Sequence, residues 1–228
     1  MRALVLLLAV LAVACSSDSS NSGTSNTPTT PTTPTTNGYS VSVDSVFGSR
    51  TAMVGTSLPS EVRVSLNGQP AGGATITWTV SAGGGTANPT TSLTNAAGVA
   101  TTTWTLSDTV RTATLTGGIA GVSAANLLVT TTAGPATAIV RASADSVAVV
   151  AGSSTLLTAK ATDKSGNLVP GVSVAWTATG GALTSATTVT GSSGNAEVVF
   201  STDGAPRSYT VTATVTGIGA LTFKVVGL

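Results

Sequence analysis

Two alternating runs set 98 positions apart constrain this chain more than any other feature. Ala74, Ile76, Trp78 and Val80 alternate with Thr75, Thr77, Thr79 and Ser81, and Val172, Val174, Trp176 and Ala178 alternate with Ser173, Ala175, Thr177 and Thr179. A period of two is that of a strand with one face packed inward and the other in water. A second echo follows: Ala196, Val198 and Phe200 repeat Ala100, Thr102 and Trp104 at an offset of 96. The chain is therefore a tandem repeat, and 228 residues divide into two units close to the common domain size.

Each unit reads as a series of short strands. In the first, Val41, Val43 and Val46 suggest an opening strand, followed by strands over 61–66, 74–81, 99–106, 112–116 and 126–131. Asn67 and Gly68 between the second and third are the residues that a type I′ hairpin turn requires, since both tolerate positive φ. Trp78 and Trp104 become candidate core partners. Tyr39 and Phe47 fall outside the repeat pattern. The pattern restarts after the joint Ala133-Gly134-Pro135-Ala136, with strands over 138–143 and 146–150. Leu157, Ala159 and Ala161 face inward from the next strand, and the turn Asp163–Asn167 leads to the Trp176 strand. A block over 183–190 and strands over 196–201, 209–216 and 220–226 complete the unit. About seven alternating strands per hundred residues predict an all-β fold of two Greek-key β-sandwiches, residues 39–133 and 134–228.

The N-terminus reads as an address. Met1 and Arg2 precede twelve apolar residues, 3–14, too few for a bilayer core that needs about twenty and suited to the apolar region of a signal peptide over 1–14. Ala12, Val13, Ala14 and Cys15 end it. The run resembles the lipobox of bacterial lipoproteins, which implies cleavage before Cys15 and lipidation of that residue; Ala12 stands where lipoboxes usually carry Leu. The same three residues also fit an A-x-A site that would release a soluble chain. Residues 15–38 are almost wholly Ser, Asn, Thr, Pro and Gly, the composition of a disordered tether that reaches on the order of 25 Å as coil and roughly 70 Å extended. Multiple acylation at Cys15 would make a membrane the first partner, an outer membrane on the lipoprotein resemblance.

Much chemistry is excluded by what the chain lacks. One cysteine and no histidine rule out internal disulfides, structural zinc sites and nucleophiles activated by His. A formal charge of +1 without a Lys/Arg cluster argues against nucleic acid as a partner. Asp163-Lys164-Ser165-Gly166-Asn167 superficially follows a calcium loop, but Ser stands at the third position and no Glu closes it, so a hairpin turn is expected. The glycines at 83–85 and 117–121 are expected in loops, with neither a following helix nor a Lys to hold phosphate. Trp78 and Trp176 lie with the aliphatic set, which favours core over a sugar-stacking platform. Asp108, Asp145, Asp203 and Glu197 show no spacing that pairs carboxylates for glycoside hydrolysis. No catalytic residue, cofactor site or metal site is assigned.

The segment DKSGNLVPGVSVAW (163–176), the glycines after each Trp strand, GVATTTWTL (98–106) and the AGPA joint resemble bacterial immunoglobulin-like domains of the invasin and intimin group. That resemblance spans about 190 residues and implies rigid extracellular modules with structural framework residues. It carries over neither the membrane β-barrel nor the lectin-like tip of the long adhesins. The expectation is a non-catalytic envelope or surface lipoprotein displaying two Ig-like domains for adhesion or structural interaction, with an unidentified protein or polysaccharide partner. The alternatives are a polysaccharide-binding envelope protein, which needs exposed aromatics at one loop end, and, more remotely, a secreted enzyme.

Overall fold

The computed structural model describes residues 38–44 and 49–228. The residues expected to form a signal peptide and tether, up to residue 37 and including Cys15, together with Val46 and Phe47, lie outside the described residues. The first repeat comprises β1 (Tyr39–Ser42), β2 (Ser49–Met53), β3 (Ser57–Leu66), β4 (Gln69–Pro70), β5 (Thr75–Val80), β6 (Thr86–Asn88), β7 (Thr91–Leu93), β8 (Val99–Thr105), β9 (Thr112–Gly118) and β10 (Ala125–Thr132). The second comprises β11 (Ala138–Arg141), β12 (Ser146–Val149), β13 (Ser154–Thr162), β14 (Ser173–Ala178), β15 (Ala182–Leu183), β16 (Thr187–Val189), β17 (Asn195–Ser201), β18 (Ser208–Val215) and β19 (Gly219–Gly227).

The two repeats share one topology. In the first, β1-β3-β8-β6 form one sheet and β2-β10-β9-β5-β7 the other; in the second the orders are β11-β13-β17-β15 and β12-β19-β18-β14-β16. Neighbours pair antiparallel except β2 with β10 and β12 with β19, which run parallel. Each pair of sheets closes over one core. Val62, Val64, Ala100 and Trp104 from one sheet meet Ile76, Trp78, Leu115, Leu127 and Val129 from the other. Leu157, Ala159, Val198 and Phe200 likewise meet Val174, Trp176, Val211, Phe223 and Val225. These are Ig-like sandwiches, and the burial of each large aliphatic side chain contributes about 1.5–3 kcal/mol.

Alternation accounts for the inward residues. Along β8, Ala100, Thr102 and Trp104 are buried while Thr101, Thr103 and Thr105 are exposed. The hairpin after β3 turns through Asn67 (φ 53°) and Gly68 (φ 83°), the two positive values of a type I′ turn. Trp78, Trp104 and Trp176 retain no more than 3% of their surface, so all three tryptophans are core.

Three expectations need correction. Gly117 and Gly118 are not in a loop but end β9, where Gly117 pairs with Trp78. A methyl group on Gly117 would lie 2.8 Å from the indole, so the glycine makes room for the ring. The strand β2 was not expected; with no apolar alternation of its own, it is an edge strand aligned by ladder bonds to β10. The block 183–190 divides into β15 and β16, which belong to different sheets, and their counterparts β6 and β7 also escape a periodicity reading because each has only three residues. Tyr39, outside the repeat pattern, pairs with Leu66 and packs against the first core.

Candidate functional site at the joint between the sandwiches

β13 ends at Thr162, and the next residue is an aspartate with 4% of its surface exposed. Asp163 Oδ1 accepts the backbone N–H groups of Ser165 and Asn167, both at 2.9 Å. Its own N–H donates to the Asn167 carbonyl at 3.0 Å. This closes the five-residue turn locally, as a short acidic side chain does when it folds back on its own backbone. Gly166 supplies the positive φ (83°) the turn requires.

The other carboxylate oxygen faces the joint. Oδ2 accepts the N–H of Gly134, in the connection between the sandwiches, at 2.9 Å, and the side-chain amide of Asn167 at 2.9 Å. Asn167 in turn reaches the first sandwich. Its Nδ2 donates to the Asp108 carbonyl at 2.7 Å, and its Oδ1 accepts the Val110 N–H at 3.0 Å. One amide therefore binds two main-chain groups of the β8–β9 loop while resting on the carboxylate behind it. On one side of this clasp Met53 and Val54 share a cleft with Gly134, Pro135, Thr137 and Lys164. On the other, the half-exposed Val110 and Leu168 share one with Thr132, Ala133 and Pro170.

Burial works against charge on Asp163. The hydrogen bonds from the Asn167 side chain and from the N–H groups of Gly134, Asn167 and Ser165 more than compensate, and hold its carboxyl below the ordinary aspartate value. Both oxygens are thus occupied by N–H donors. The turn that superficially follows a calcium loop spends its carboxylate on backbone, as a hairpin turn would. The first sandwich has no such carboxylate at the equivalent place, where β3 ends in Leu66 and turns at Asn67-Gly68.

Asp108, Asp145, Asp203 and Glu197 stand apart from one another. Asp108 joins the clasp through its carbonyl alone. Asp145 pairs with Arg141 at 3.0 Å, and Glu197 stands on the exposed face of β17. Asp203 accepts the Tyr209 hydroxyl and pairs with Arg207, and these contacts hold its carboxyl below the ordinary value, the tyrosine bond contributing most. Among the described residues no three His, Cys, Asp or Glu side chains converge on a metal position. Sequence reasoning placed Asp163 and Asn167 in a turn but missed that Asn167 reaches across the joint. Its partners are backbone groups, which leave no side-chain signature. Cys15, the expected lipidation site, lies outside the described residues.

Fold and joint define a class: tandem Ig-like sandwiches coupled through a short, clasped connection. Residues 139–225, within the second sandwich, match the family model for the bacterial Ig-like domain (group 1). No curated protein sequence matches the chain. A solved portion of FdeC, an Escherichia coli adhesin, is similar at 22% identity and a TM-score of 0.56, covering 83% of this chain and 63% of that one. The D00-D0 portion of intimin is similar at 14% identity and a TM-score of 0.42, covering 83% and 99%. A glycosyl hydrolase family 2 member from Bacteroides cellulosilyticus is similar at 16% identity and a TM-score of 0.38, covering 77% and 23%. At these identities the likeness is one of fold.

Proposed function

We propose that the chain is a non-catalytic cell-envelope or surface lipoprotein that displays two Ig-like sandwiches for adhesion or structural interaction. The observation that carries this reading is the clasp: Asn167, backed by Asp163, fixes one sandwich on the other through main-chain groups. A chemical site needs free functional groups, whereas here the buried carboxylate is spent on geometry. Lipid at Cys15 fixes one end, the Thr/Pro tether clears the membrane, and the coupled sandwiches present loops and sheet edges to a protein or polysaccharide. The fold shared with an E. coli adhesin fits this role. The polysaccharide reading draws no support from the tryptophans or from Phe200, Tyr209 and Phe223, all of which are buried.

Three experiments test it together. Cys15→Ser should move the protein from the membrane fraction to the soluble envelope fraction, and retention on membranes would rule out the lipid anchor. Protease treatment of intact cells, followed with an antibody against residues 134–228, separates surface display from a periplasmic position. Turnover by purified protein of any glycoside or ester in a broad panel would overturn the non-catalytic reading.

A further inference from the structure

The repeat makes it possible to compare the end of the first sandwich, which is clasped, with the equivalent end of the second. Strands β8, β9 and β10 align with β17, β18 and β19 at a constant offset of 96. Trp104 corresponds to Phe200, Thr112 (paired with Thr130) to Ser208 (paired with Val226), and Leu127 to Phe223. No residue is inserted or lost between them, so the clasped β8–β9 loop has a direct counterpart in the β17–β18 loop. Asp108 corresponds to Gly204 and Val110 to Pro206.

The two loops are held alike by different chemistry. In the first sandwich the Arg111 N–H donates to the buried Thr131 hydroxyl at 2.7 Å, the Thr131 N–H returns to the Arg111 carbonyl at 2.8 Å, and the hydroxyl reaches the Thr109 carbonyl at 3.1 Å. In the second, the Gly227 N–H donates to the Arg207 carbonyl at 2.9 Å, and the Tyr209 hydroxyl, at 3.1 Å, takes over the bond to Ala205 that threonine makes to Thr109. The backbone frame is conserved between the repeats. What differs is the atom that meets a neighbour: Val110 offers an N–H to Asn167 Oδ1, and proline at 206 has none.

We infer that the clasp is a portable recognition element with a simple rule, and that the second sandwich can use it only in one direction. Its turn Asp163–Asn167 docks onto any like sandwich whose loop presents a carbonyl at one residue and an N–H two residues on. Its own Gly204–Pro206 loop cannot receive such a turn, because Pro206 would leave the partner asparagine's Oδ1 facing a ring carbon instead of a donor. The partner this surface fits is therefore an Ig-like sandwich with a non-proline residue at the Val110 position, since both bonds that Asn167 makes across the joint go to main chain.

Residual dipolar couplings measured on the full chain report the alignment of each sandwich separately. In the native chain both should share one alignment tensor. Val110→Pro, which copies the second loop into the first, should leave couplings within each sandwich unchanged while the two tensors diverge. An extended chain in which residues 133–228 follow Leu228 supplies a third sandwich with the same joint length. It should tumble independently beside Pro206 and acquire the common tensor with Pro206→Val. A shared tensor in the Val110→Pro chain, an ordered third sandwich beside Pro206, or one that stays independent after Pro206→Val would each overturn the rule. Unchanged couplings within the sandwiches separate a lost clasp from lost folding.

Discussion

Trp78 and Trp176 occupy the same place in the two sandwiches, and each donates its indole N–H at 2.8 Å to a hydroxyl on the neighbouring edge strand, Ser92 on β7 and Thr188 on β16. The bond satisfies the one polar atom of a ring that is otherwise packed in the core. Trp176→Ala would remove that bond and the ring that stacks on Phe223 at 6.0 Å between centroids. The expected cost is about 3–5 kcal/mol, confined to the second sandwich. Calorimetry should then show an early transition for that unit; an unchanged melting temperature would refute the core assignment.

A second repeated device anchors the entry to β5 and β14 to the end of the neighbouring edge strand. Thr190 is buried, and its hydroxyl accepts the Val172 N–H at 2.8 Å and donates to the Val169 carbonyl at 2.7 Å. Thr94 does the same with Ala74 and Ala71 at 2.8 and 2.6 Å. Thr190→Val keeps the shape and strands both main-chain groups, so about 1–3 kcal/mol of stability should be lost. A denaturant midpoint within error of the native value would show that water replaces the hydroxyl.

What could be read from the sequence followed from burial, and what could not followed from pairing. Trp78, Trp104, Leu157 and Tyr209 were legible because a half-buried strand imposes period two on its residues. The strand Ser49–Met53 carries no such pattern and exists because β10 offers it a free edge. Gly117 looked like loop because a glycine in a strand has no side chain to show which ring lies over it. At the joint, the sequence marked a turn but not a clasp, since Asn167 binds the carbonyl of Asp108, a group every residue offers, and the N–H of Val110, which every residue but proline offers.

Tyr209 ties its strand to the loop before it through a hydroxyl whose single proton is shared between the Asp203 carboxylate and the Ala205 carbonyl, under the Arg207 guanidinium at 4.8 Å. Tyr209→Phe keeps the ring against Phe200 and deletes only the hydroxyl. The carboxyl of Asp203, held down chiefly by that hydroxyl, should then titrate closer to the ordinary aspartate value, and stability should fall by about 1 kcal/mol. Carbonyl-carbon chemical shifts followed through acid would read the first effect; an unmoved Asp203 would assign its shift to Arg207 instead.

Asp163 makes the joint sensitive to acid in a definite direction. Its carboxyl is held below the ordinary value in the folded chain, so between the folded value and the ordinary one, about 3.9, the unfolded chain binds the proton and the folded chain does not. The charge therefore stabilises the fold fully above the ordinary value, and the contribution is lost as pH falls through it towards the folded one. Asp203 shifts in the same direction, so the native chain loses both contributions in acid. Asp163→Asn puts an amide where both oxygens receive N–H donors: one side is still accepted, and the other sets its NH2 against a donor. The variant should be less stable near neutrality by about 1–3 kcal/mol, and its stability should fall less steeply below about pH 4, where only Asp203 still contributes. Denaturant midpoints measured from neutral pH into acid test both parts. A native-like slope in Asp163→Asn would mean that the carboxylate's charge is not what the clasp depends on.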